Sequence, residues 1–200
     1  MDRRVVLLLY DGMQPIDLLG PHESCSIANR VLDARRDTGP RYLLERVSPG
    51  GGAVCAESGM LLAGDTDLPT DTDPIDTLVV PGGDGSRDRE VTEALAPWRA
   101  AAASRSRRVA TVCSGAFLAA AAGLCGGRRV TTHWLVAEEL ARRYPDVQVD
   151  ADPIYIRDGD LWSSAGVTAG IDLGLALVDD DCGPDVARWV ARSLVVPLHR

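Results

Sequence analysis

The chain has 200 residues, 46% hydrophobic and 25% charged, which is enough apolar material for a full core at the charge of an ordinary soluble protein. Its formal net charge of −8 argues against nucleic-acid binding by this segment alone, because phosphate contacts need clustered cations. All 21 basic residues are Arg, a sign of coding bias in a GC-rich genome and not of recognition chemistry.

The five cysteines, Cys25, Cys55, Cys113, Cys125 and Cys182, are odd in number and widely spread, with no CxxC pair. That pattern suggests neither a disulfide framework nor a zinc site, and it implies no metal or other cofactor. Reduced, mostly buried thiols in a cytoplasmic protein are the plain expectation.

In chain order, "RVVLLLY" (residues 4–10) reads as a strand covered on both faces. It meets Asp11-Gly12 too soon to be a signal segment or to span a bilayer. The stretch "DGMQPIDLLGPHESCSIANRVL" gives a turn and a helix, with Pro21 tolerable only near a first helical turn. "YLLERVS" is a strand, "AVCAESGMLLAG" a hairpin around Ser58-Gly59, and "DTLVVPGG" a strand running into Gly82-Gly83.

"REVTEALAPWRAAAASR" is helical in composition but interrupted by Pro97. "RRVATV" is a buried strand, and "GAFLAAAAGL" a helix stopped by Gly126-Gly127. "RRVTTHWLVAEELARRYP" passes from strand to helix. "VQVD" and the hairpin "PIYIRDGDLWSSAG" precede two helices, "VTAGIDLGLALVDD" and "GPDVARWVARSLV". Strands alternating with crossover helices predict one α/β domain over residues 1–200, with a mostly parallel sheet and helices on both faces.

Ligands in such sheets sit outside the carboxyl ends of the strands. The stretch "RVATVCSGAF" puts Cys113 at that edge, before a helix begun by Ser114 and Gly115. The helix dipole there predicts a depressed thiol pKa and substantial thiolate at neutral pH. The pattern is that of a nucleophile elbow, with Thr111 in place of its first glycine. The other four cysteines read as buried small residues.

Gly82 and Gly83 end another strand, and the amides of Gly83 and Ser114 form a candidate oxyanion hole. His133 is a candidate base if its strand neighbours that of Cys113. Asp17, also at the carboxyl edge, is either a helix cap or a protonated carboxyl beside the thiolate. Trp134, Trp162 and Trp189 read as packing anchors. Asp172 either orients His133 or is a helix-terminal charge, and His22 and His199 are given no role. The apolar stripe of "VARWVARSLVV" suits core packing or a dimer face.

The order "YDGMQPIDLLGP", "LVVPGG", "TVCSGAFLAAAAGL", "RRVTTHW" and "SSAGVTAGIDLGLALV" resembles the ThiJ/PfpI superfamily, single-domain relatives of class I glutamine amidotransferases. The resemblance implies a flavodoxin-like three-layer sandwich, usually dimeric. Cys113 is then the nucleophile, Asp17 the acid beside it, Gly83 and Ser114 the oxyanion donors, and His133 the nearby histidine. Within the superfamily, "CSGAFLAAAAGL", "GRRVTTHW", "AGIDLGLALV" and "VARSLVVPLHR" look most at home in the N-terminal sensor domains of AraC-type regulators. That branch implies a pocket for a small metabolite and DNA contacts only through a helix-turn-helix domain beyond Arg200. The other branch, similar to isonitrile hydratases, implies cysteine-dependent hydration of an isocyanide carbon, with amide hydrolysis a further option. Oxidative sensing by the same thiol is a third reading.

Overall fold

The computed structural model describes residues 1–70 and 72–196. His199 and the expected junction at Arg200 lie outside the described residues. The apolar runs of the central strands need cover on both faces, which places them in the middle of one mostly parallel sheet. In chain order the elements begin with β1 (Arg3–Leu8), α1 (Pro15–Ala34), β2 (Tyr42–Val47) and the hairpin β3 (Ala53–Cys55) and β4 (Leu61–Ala63). Then follow β5 (Ile75–Val80), α2 (Arg89–Ser104), β6 (Ser106–Val112) and α3 (Gly115–Ala121). The remainder is β7 (Arg129–Val130), α4 (Ala137–Arg143), β8 (Gln148–Val149), β9 (Tyr155–Asp158), β10 (Leu161–Ser164), α5 (Ala169–Cys182) and α6 (Pro184–Leu194).

The main sheet has the order β2-β1-β5-β6-β10-β9, parallel except for the edge strand β9. Helices α1, α5 and α6 pack against one another, while α2 and α3 pack against β5 and β6. The result is the flavodoxin-like α/β sandwich, helices on both faces of a mostly parallel sheet. The chain moves outward from β1 to β2, then returns to β5 and continues the other way. The switch point therefore lies between β1 and β5, where such sheets leave a crevice at their carboxyl edge.

Several local expectations are corrected. Pro21 lies beyond the first turn of α1, and the helix continues through it. It is held there by close packing on α5: a Cβ on Gly20 would meet Ile171 N at 2.9 Å, and one on Gly174 would meet Pro21 Cα at 3.0 Å. Pro97 does not interrupt α2, since it and Glu93, whose carbonyl it leaves unbonded, both face solvent. Helix α3 stops at Gly123 (φ +77°), ahead of Gly126-Gly127. The Leu124 N–H bonds the Ala119 carbonyl and the Gly123 N–H that of Ala120, a Schellman ending.

The stretch "RRVTT" is not a strand of the main sheet. Only Arg129 and Val130 pair, with β8, in a separate two-stranded sheet. Trp162 is buried as an anchor, but Trp134 and Trp189 are exposed at 69% and 50%. Cys25 and Cys125 are buried, whereas Cys55 is exposed and Cys182 half-buried. The apolar stripe of α6 (Val186, Ala187, Val190, Ala191) packs inward.

At the foot of the sheet, away from this edge, buried Arg108 pairs with buried Asp181 and donates to Thr77 Oγ1 at 2.8 Å. Among the described residues no helix is long and apolar enough to cross a membrane.

Candidate functional site

Cys113 follows β6 directly and adopts φ +56°, a left-handed backbone uncommon outside glycine. The turn is fixed from three sides. Cys113 N–H donates to the Ser164 carbonyl at 3.0 Å, and Thr132 Oγ1 donates to the Cys113 carbonyl at 2.7 Å. Gly166 presses on the cysteine so closely that an added Cβ would lie 2.1 Å from Cys113 Cβ. Gly115 does the same for the sheet, where its Cβ would meet the Val80 carbonyl oxygen at 2.2 Å. Strain of this kind persists only where the surroundings impose it.

Asp17, in the first turn of α1, is fully buried beside this turn. Its Oδ1 accepts from the Val167 N–H at 2.7 Å and its Oδ2 from the Gly82 N–H at 3.1 Å. The thiol of Cys113 interacts electrostatically with the same carboxylate. Burial pushes the Asp17 carboxyl up from 3.8 to about 6, against the pull of those two amides and the thiol. Burial and the Asp17 charge push the Cys113 thiol up to about 12, opposed by the amide and hydroxyl of Ser114.

The expected low-pKa thiolate is therefore corrected. Two acids share one buried site, and the cost of desolvating sulfur beside a carboxylate exceeds the gain from the short helix α3. At neutral pH the pair holds one proton between the two groups.

The loop after β5 supplies Gly82 and Gly83. Gly83 has φ +121°, and a Cβ there would meet the Gly12 carbonyl oxygen at 2.3 Å. Its N–H, the candidate oxyanion donor, is bonded at 3.0 Å to Ser114 Oγ. Ser86 Oγ donates in turn to Ser114 Oγ at 2.8 Å. The Ser114 amide and hydroxyl both favour the charged form of the Cys113 sulfur.

Cys113, Ser114, Gly83 and His133 line one cleft of about 230 Å³, the volume of roughly eight waters at ~30 Å³ each. Leu135, Val136 and Val167 form an apolar wall, and Gln14, Glu57, Asp84 and Arg87 a polar one. His133 reaches the cleft from the loop after β7. Its Nδ1 accepts from the Leu135 N–H at 3.4 Å. Among the described residues no hydrogen bond joins His133 to Cys113 or Asp17. Asp172, in the first turn of α5, is not among the described residues that line the cleft.

The sequence reading leaves out Glu57, Asp84, Arg87 and Val167. The carboxyl-edge rule that singles out Cys113 also covers Asp84, Arg87 and Val167, which follow β5 and β10. Glu57 has no such signal. It arrives because its N–H bonds the Met13 carbonyl, and its carboxylate then accepts from Gln14 Nε2 at 2.6 Å and the Asp84 N–H at 2.9 Å.

The DJ-1/PfpI family model matches residues 3–180. An uncharacterized protein in the cpoL 5′ region of Streptomyces lividans is 46% identical over 142 residues, 71% of this chain and 95% of that protein. The isonitrile hydratase of Pseudomonas putida is 30% identical over 197 residues, 97% of this chain and 78% of that one. The HTH-type transcriptional regulator CdhR of Pseudomonas aeruginosa is 31% identical over 192 residues, 94% of this chain but 54% of the regulator. The chain thus spans about half the length of that regulator. Among solved structures, a ThiJ/PfpI family protein from Pseudomonas syringae superposes with a TM-score of 0.82 at 24% identity, covering 100% of this chain and 77% of that one. The match over residues 3–180 and these relatives place the chain in the DJ-1/PfpI family.

Proposed function

We propose that the chain is the ligand-sensing domain of an AraC-type transcriptional regulator, binding a small metabolite in the Cys113 cleft. DNA contact then belongs to a separate helix-turn-helix domain, and the sensing unit is a cytoplasmic homodimer. The observation that carries this reading is the state of Gly83. Its N–H is spent on Ser114 Oγ at 3.0 Å, so the donor that an acyl-transfer oxyanion needs is satisfied inside the protein. A site built this way favours binding over amide hydrolysis. The similarity to CdhR supports the same assignment.

One enzymatic alternative fits the geometry. Addition of the thiol to an isonitrile carbon forms a C–S bond and delivers the sulfur's proton to carbon, giving a thioimidate. Water then releases an N-substituted formamide and restores the thiol, with no oxyanion hole required for the first step. The shared proton between Cys113 and Asp17 favours it, as does the similarity to isonitrile hydratase.

Fluorescence titration tests the sensing reading. Trp134 is exposed and its ring lies 5.8 Å from that of cleft-lining His133. A library of small amines, amides and carbonyl compounds should contain one that changes wild-type fluorescence saturably, with the change absent in Trp134→Phe. Its affinity should survive in Cys113→Ser, whereas binding that always requires the thiol and ends in product points to the enzyme.

A further inference from the structure

Val167 holds a backbone conformation that its own side chain resists. Its φ is +54°, in the left-handed region where a branched Cβ crowds the neighbouring carbonyl. Glycine enters positive φ freely, and Gly166 just before it does so at +93°. The valine is pinned on both flanks. Its N–H donates to Asp17 Oδ1 at 2.7 Å, and its carbonyl accepts from the Gly170 N–H at 3.2 Å. Before it, the Ala165 N–H donates to the Ile154 carbonyl at 2.8 Å, and the Gly166 carbonyl accepts from the Ala169 N–H at 3.0 Å.

All of these bonds belong to the main chain, so a glycine at this position would make the same ones without strain. Burial does not repay the branched side chain either, because Val167 is 38% exposed whereas Val112, at the end of β6, is fully buried. Strain that neither hydrogen bonding nor packing requires points to a use where the side chain stands. That place is the cleft, whose apolar wall Val167 shares with Leu135 and Val136.

The wall runs beside the sulfur at this point. A Cβ on Gly166 would lie 2.7 Å from Cys113 Sγ, so residue 166 can carry no side chain there. One Cα step of about 3.8 Å further along, Val167 is the first residue that can. Its φ is fixed by the flanking bonds, and branching at Cβ restricts χ1. The two methyl groups therefore cannot swing clear of the cleft.

We propose that Val167 is a specificity-determining residue of the Cys113 cleft, and that its methyl groups narrow the approach to the sulfur so that the cleft takes ligands whose sulfur-facing end is unbranched. A terminal carbon or a primary amide passes, and a group branched at the atom that meets the sulfur is turned away. The proposal rests on the reading of this cleft as the ligand site, and it holds whether the ligand is bound or turned over.

Alkylation of Cys113 measures that approach, with exposed Cys55 of the same chain as internal reference. Iodoacetamide is compared with 2-iodopropanamide, which adds one methyl at the reacting carbon, at a single pH and with peptide mass spectrometry as readout. The quantity read is the preference for the straight reagent at Cys113 divided by that at Cys55, which cancels the reagents' intrinsic difference in reactivity. Wild type should show a preference of about tenfold or more, the usual cost of one surplus carbon in a fitted apolar site. Val167→Ala and Val167→Gly should bring it close to unity, and Val167→Thr, which has the shape of valine, should keep it. A preference near unity in wild type, or one unchanged in both Val167→Ala and Val167→Gly, overturns the proposal. So does a loss in Val167→Thr as large as in Val167→Ala, which would trace the effect to packing of the loop and not to the shape at the sulfur. A preference that follows Val167 in a chain for which no small-molecule ligand is found would support this assignment and sink the sensing reading alone.

Discussion

The Cys113 thiol interacts electrostatically with an Asp17 carboxylate that has no exposure to solvent and is held by the amides of Val167 and Gly82. This pair ties the ends of β5, β6 and β10 to the start of α1, so the chemistry of the site and the closure of the fold share one proton.

The pair should be visible in stability against pH. Asp17 titrates at about 6 in the fold against 3.8 ordinarily, a raised acid. Its favourable contribution is present below about pH 4 and is lost as pH rises through about 6, an effect on the order of 3 kcal/mol. Urea denaturation across that window should show this slope in wild type and not in Asp17→Asn. An equal slope in both would assign it to other carboxylates.

Asp181 should behave with the opposite sign. Burial works to raise it, but Arg108, Tyr42 and Arg107 hold it below the usual carboxylate range. Its contribution is present above about pH 4 and is lost as pH falls through the folded pKa. Asp181→Asn removes the nearest carboxylate partner of buried Arg108, leaving Asp180 at 3.3 Å and Asp76 at 3.7 Å, and should cost roughly 1.5–3 kcal/mol at neutral pH. A loss under about 1 kcal/mol in chemical denaturation would show that the pair is dispensable.

Crowding at the elbow predicts a difference between two glycines. Gly166→Ala places a Cβ 2.1 Å from Cys113 Cβ, while Gly59→Ala meets nothing within 4 Å, and both have positive φ. Gly59→Ala should cost about 1 kcal/mol for backbone alone, and Gly166→Ala roughly 2–4 kcal/mol with altered thiol reactivity. Similar losses in both would mean that the elbow yields easily.

The strain at Cys113 itself is measurable. Cys113→Gly should be more stable than Cys113→Ala by roughly 1–2 kcal/mol, because only glycine takes φ +56° freely. The reverse order of melting temperatures would place no strain at the turn.

Much of this was legible in the chain, because strand periodicity and edge position are local signals. The apolar runs of β1, β5 and β6 announced a covered parallel sheet, and the short step from Val112 to Gly115 announced the elbow. Thiol chemistry was not legible. A helix dipole can be read from sequence, but the depth of Asp17 and the amides that hold it depend on Gly82 and Val167, distant along the chain. For the same reason "RRVTT" looked like a sheet strand, while Thr131 in fact uses its N–H on Ser163 Oγ at 3.0 Å. Pro97 misled because sequence does not say which side of α2 meets water.

The most direct measurement mixes the purified chain with an excess of a small alkyl isonitrile and follows the mixture by proton NMR. A sensing domain should leave the isonitrile unconverted beyond the amount that one Cys113 per chain can hold. Steady accumulation of the N-substituted formamide over many equivalents, abolished in Cys113→Ser, would contradict sensing and make the chain a hydratase.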